Sequence, residues 1–194
     1  MATSATTLPA GAPPLVNIPY LAGALAVIGI MAWSVTAPSL WFLDFVHVFS
    51  GLLWTGIDLF MGFVVGPVLR RMDPAARRQA IMQLMPRMLY LMPTLAISTG
   101  TSGWFLAQRL GFTGLAFPQY AWVLAALTII TVLTVQGLGI LLPTNLRVYL
   151  EIRKARPEVE RIGHWMRRYV RFVAFQGLLQ IVIVVIMAHF ATGL

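Results

Sequence analysis

The chain has 194 residues, 59% of them hydrophobic and only 10% charged, with a formal charge of +8 and a mean hydropathy of +0.81. A soluble globule usually carries about 25% charged residues, so this composition excludes a water-covered domain. The basic residues fall in two short blocks between apolar runs, which is the pattern of loops held on one side of a membrane and not of a nucleic-acid surface. With no cysteine, disulfides, thiolate metal sites, iron–sulfur clusters and thiol catalysis are excluded.

Residues 1–17 are rich in Ala, Thr and Pro and contain no Lys or Arg, so they are expected to form a disordered tail and not a secretory signal. Five runs follow that reach the roughly 20 apolar residues a helix needs to cross about 30 Å of hydrocarbon. They are Ile18–Thr36, Leu40–Val68, Met85–Gln108, Tyr120–Leu142 and Val170–Thr192. The expected fold is all-α: a single five-helix transmembrane domain over residues 18–194. The second run is longer than required and should tilt or project from the bilayer.

Thirteen of the fourteen Lys and Arg residues lie on one side. Five flank the loop between spans two and three (Arg70, Arg71, Arg77, Arg78, Arg87), and eight surround the loop between spans four and five. Only Arg109 lies on the other side. The positive-inside rule then places the N-terminus in the cytoplasm and the C-terminus outside, in a multi-pass protein of a cell (inner) membrane. Asp73-Pro74 offers an N-cap for a short interfacial helix through Ile81 and Leu84, and Pro157 a turn before Glu158 and Glu160. Pro93 is expected to kink span three and Pro143 to close span four. Gly62 and Gly66 form a small-xxx-small pattern that permits close helix approach.

Polar residues inside spans carry the functional signal, because lipid cannot solvate them. Asp44, His47, Gly51, Trp54 and Asp58 are spaced three, four, three and four apart and so share one helical face. Thr94, Ser98 and Thr101 of span three, Gln136 of span four, and Gln176 and Gln180 of span five suggest a polar seam or proton route shared by several helices. Asp58 and Arg87 both fall toward the basic side, where a carboxylate–guanidinium pair can form.

Of the three histidines, His47 lies roughly 10 Å below the outer helix end and His189 roughly 5 Å, whereas His164 is roughly 20 Å away on the inner side. His47 and His189 are therefore the candidate metal ligands by depth, although nine residues of rotation set His189 opposite Gln180. Two bis-His haems need four histidines, so the count allows one b-type haem at most. No phosphate loop, nucleophile elbow or paired catalytic carboxylates are present.

The segment His47-Val-Phe-Ser-Gly-Leu-Leu-Trp54-Thr-Gly56, running on to Pro67 and Arg70-Arg71, resembles the second-helix signature of HemJ-type membrane protoporphyrinogen oxidases and of CopD-like membrane domains. Pro86-Arg87-Met-Leu-Tyr90 through Pro93, Thr99-Gly100 and Trp104 resembles their next helix, and Arg167-Arg168-Tyr169 their closing one. The resemblance implies haem b on His47, with Trp54, Arg87 and Tyr90 near the porphyrin. It also implies exchange of electrons with a quinone or a porphyrinogen, in a membrane oxidoreductase. Two other readings stay open at this level: copper transport or handling through the polar seam, and a non-catalytic subunit of a homo-oligomer or larger membrane complex.

Overall fold

The computed structural model describes residues 16–154 and 156–193. Of the expected tail only Val16 and Asn17 are described, and Asn17 caps the first helix by accepting the Tyr20 N–H at 3.3 Å. The architecture is the expected five-helix bundle, with no strand among the described residues. We number the membrane helices α1 (Ile18–Thr36), α2 (Leu40–Arg71), α3 (Pro74–Arg109), α4 (Tyr120–Ile152) and α5 (Val159–Ala191).

Three of these helices, α3, α4 and α5, are much longer than their apolar runs. At 1.5 Å per residue α3, with 36 residues, extends about 54 Å. The extra turns lie at the basic end. Asp73 does cap a helix, its carboxylate accepting the Ala75 and Ala76 N–H groups at 3.0 Å. That helix is not a separate interfacial piece, however; it runs without a break through Pro86 and Pro93 into span three. Glu158 likewise precedes a helix continuous with span five.

Pro143 does not close span four. The helix passes it through a π turn (Gly137–Leu141) and continues to Ile152. α2 does the same at Met61–Val65, just before Pro67. In each case the residue preceding the proline, Gly66 or Leu142, donates its N–H to the carbonyl five residues back. Proline lacks the N–H that the carbonyl four back would take, and its ring crowds that carbonyl. Widening the turn relieves the crowding without ending the helix.

α3 is the central helix, packed against α1, α2 and the Leu142–Ile152 stretch of α4, while α5 packs on α4 and α2. The core is small: Trp54, Leu95 and Leu133 bury one another, surrounded by Leu53, Ile57, Leu91 and Leu179. The outer faces are apolar, as lipid requires. Trp41, Phe45 and Phe49 stack along the outside of α2. Gly62 brings no helix close, since nothing lies within 4 Å of where its side chain would start, and Gly66 meets only its own π turn and Arg70. The close approaches are made at Gly51, Gly103 and Gly177.

Two arginines tie the ends together. Arg109 of α3 donates to the carbonyls of Val35 and Ala37, the orphan acceptors at the end of α1. At the basic end Arg78 donates to the carbonyl of Ile152, the last residue of α4, and to that of Lys154 just past it. Arg78→Ala is expected to cost about 1–2 kcal/mol, as charged hydrogen bonds to otherwise unpaired carbonyls do. Thermal unfolding in detergent measures it; a change no larger than that of Arg77→Ala would show the clasp to be idle.

Candidate functional site

The polar stripe of α2 is real as a face but not as one site. Asp44 is exposed near the helix start, Trp54 is buried in the core, and His47 and Asp58 face different partners about 16 Å apart along the helix.

His47 is half-buried against α3. Its Nδ1 lies 3.0 Å from the Thr99 carbonyl oxygen. A carbonyl can only accept, so Nδ1 carries a proton, and in the neutral ring Nε2 keeps its lone pair. Gly103 makes this seat: a Cβ there would stand 2.6 Å from Cε1 and 2.9 Å from Nδ1 of the imidazole. Around the seat the two helices are knitted by small polar groups. Thr99 donates its hydroxyl to Ser50 Oγ at 3.0 Å, Ser50 donates to the Val46 carbonyl at 2.7 Å, and Gly51 lets Thr99 lie close to α2.

Asp58 sits toward the basic end and faces α5. Its Oδ2 accepts from Gln176 Nε2 and, at 2.8 Å, from Gln180 Nε2. Gln136 of α4 completes the centre, donating to the Phe172 carbonyl at 2.6 Å and to Gln176 Oε1 at 3.4 Å. Of the expected seam, Asp58, Gln136, Gln176 and Gln180 are thus assembled by three helices, while Asp44 lies apart from them, exposed near the start of α2. The Asp58–Arg87 pair is not formed. Arg87 is exposed, donates to the Gln83 carbonyl at 2.9 Å and lies over the Tyr20 ring, with its centre 5.8 Å from the ring centroid. Its position on α3 turns it toward α1, away from α2.

Tyr90 belongs with that second group, its ring 6.3 Å from Tyr20 and its hydroxyl accepting the Asn17 N–H at 3.4 Å. Thr99, which marks the depth of His47, is nine residues further along α3, about 13 Å. Arg87 and Tyr90 are therefore not brought to His47. His189 is engaged elsewhere too, with its ring centroid 4.2 Å from that of Trp122 at the start of α4. Among the described residues no three His, Asp or Glu side chains are grouped as metal ligands.

On the far side of α3 from α2, an apolar groove of about 500 Å³ opens between α3 and α4. Ala96, Gly100, Trp104, Ile130, Thr134 and Leu138 line it. It exists because α3 meets α4 along its basic-side stretch and parts from it toward the other end. The sequence motif included Thr99 but did not mark it as the partner of His47, and it did not include Gly103. The run Thr99-Gly100-Thr101-Ser102-Gly103, five small residues in a membrane helix, was the available sign of a close approach. Comparison with known proteins places the chain in no group: no protein-family model, curated protein or solved structure matches it.

Proposed function

We propose that this protein is a haem-b-associated redox protein of the cell membrane, in which His47 would hold the haem and the basic end of the bundle lies in the cytoplasm. The observation that carries the reading is the seat of His47. Imidazoles that bind metals typically donate the other ring N–H to a carbonyl or carboxylate, which fixes the tautomer and aims the free nitrogen. The Thr99 carbonyl does this for Nδ1, and Gly103 leaves room for the ring to be held there. One donor from one helix fits a haem with a single protein ligand, not a copper site, which needs several donors in one place.

When bound, the haem would supply one-electron chemistry between a membrane-dissolved donor and acceptor. The chain's own part is to hold and orient the ligand and to admit the partner. The apolar groove, which Ala96 and Gly100 line at the level of Thr99 on the other side of α3, suits a quinone or porphyrinogen arriving from lipid. Arg87 and Tyr90 lie too far along α3 to share the ligand's level and act instead on α1. A second reading, as a subunit of a homo-oligomer or larger membrane complex, draws on Gly62, whose open face no helix among the described residues fills.

Purified protein is expected to show a Soret band on reconstitution with haem, and His47→Ala to reduce binding at least tenfold, about 1.4 kcal/mol. His189→Ala should leave the band unchanged. A colourless protein, or a band indifferent to His47, would defeat the proposal.

A further inference from the structure

The Asp58 centre lacks something on the donor side. Gln180 is only 1% exposed, and its Oε1, sealed from solvent, accepts no hydrogen bond. Asp58 uses Oδ2 for both amides, and none of the salt bridges among the described residues involves it. A bare carboxylate in the hydrocarbon with no counter-charge is costly, and so is a buried acceptor without a donor.

One proton answers both deficits. It neutralises Asp58, and from Oδ1 it gives Gln180 Oε1 the donor it lacks. Gln176 and Gln180 keep donating to Oδ2, while Gln136 holds Gln176 in place. The surroundings hold no competing charge close by. From α5 the Tyr169 hydroxyl is occupied by Asn145 of α4 at 3.2 Å, and Arg168 lies over the Phe172 ring. α4 presents the neutral Gln136. α3 presents Leu91 and Leu95, with its Arg87 turned to Tyr20.

The two π turns stand between this centre and the basic end of the bundle. That of α2 begins three residues after Asp58, and that of α4 begins directly after Gln136. Gly62, Gly137 and Gly139 within them have nothing within 4 Å of where a side chain would start. Wide turns and bare glycines make this the thinly packed side of the centre. We infer that Asp58, Gln176, Gln180 and Gln136 form an intramembrane proton-binding site, loaded and emptied from the basic end past the two π turns. The site is separate from the His47 seat and stands whether or not haem binds there.

Infrared spectroscopy of the full chain in lipid nanodiscs tests this directly. The chain has only six Asp and Glu residues, so a carboxylic-acid C=O band at neutral pH can be assigned. The band is expected in the wild type, should fade as pH rises, and should vanish in Asp58→Asn while surviving Asp44→Asn. A lipid-soluble carbodiimide, which attacks protonated carboxyls, needs no variant: mass spectrometry should find the adduct on Asp58, with a yield that falls as pH rises. No acid band and no Asp58 adduct at any pH would overturn the assignment. So would loss of either signal on adding sodium chloride at fixed pH, which would make the occupant a metal cation.

Discussion

Gly103→Ala is expected to expel His47 from its seat. The new Cβ would lie 2.6 Å from Cε1 and 2.9 Å from Nδ1, closer than real Cβ contacts, and the ring is held against this face of α3 by its bond to Thr99. Either the imidazole swings away and loses that bond or α2 and α3 separate. The second outcome would also break the Thr99–Ser50 hydrogen bond and the packing at Gly51. Overpacking of this kind costs about 1–3 kcal/mol. The test is a double-mutant cycle in detergent. In a His47→Ala background the same substitution should cost less than about 1 kcal/mol, leaving a coupling of the order of 1 kcal/mol or more. Equal costs in the two backgrounds would mean that glycine and imidazole do not meet. Haem titration adds an independent measure: Gly103→Ala should lose affinity as His47→Ala does, because a displaced ligand is aimed wrongly even when present.

The number of helices and their approximate bounds were legible because hydrophobic length is a direct consequence of bilayer thickness. The continuation of those helices beyond the membrane was not. Pro143 read as a stop and Pro157 as the start of a separate turn, yet Pro143 is carried through by a π turn, and Glu158 caps a helix that feeds straight into span five. The basic blocks that were read as topology signals also do structural work, since Arg78 and Arg109 close helix ends that no sequence pattern links to them. Of the site residues, Asp58, Gln136, Gln176 and Gln180 could be gathered from sequence because polar groups in lipid must find one another. Their exact partners could not, and the charge rule that suggested Arg87 for Asp58 lost to geometry: Arg87 faces α1. His47 was visible as an exception in an apolar helix, but its partner is a backbone carbonyl. Every residue offers one, so no side-chain pattern could point to Thr99.

Replacing the Asp58 centre by hydrocarbon is expected to leave the fold standing and to make it no less stable. Removing one member alone should hurt. Gln176→Leu takes a donor from the Asp58 carboxyl and the acceptor from Gln136, and unsatisfied buried polar groups cost about 1–3 kcal/mol. The triple variant Asp58→Leu, Gln176→Leu, Gln180→Leu leaves no buried charge and only the Gln136 amide, which keeps its bond to the Phe172 carbonyl. Swapping a complete buried polar group for well-packed apolar residues is often neutral or stabilising by about 1–4 kcal/mol. Unfolding measured in one detergent for wild type, single and triple variants gives the ordering: single lowest, triple at or above wild type. A triple variant as damaged as the sum of its parts would mean that the three side chains are there to hold α2 and α5 together. The expected ordering means that Gly177, packed on Leu59, and the core at Trp54 suffice for that contact. The carboxyl and its amides would then be retained for the proton they bind, which is the role the unpartnered Gln180 oxygen already indicates.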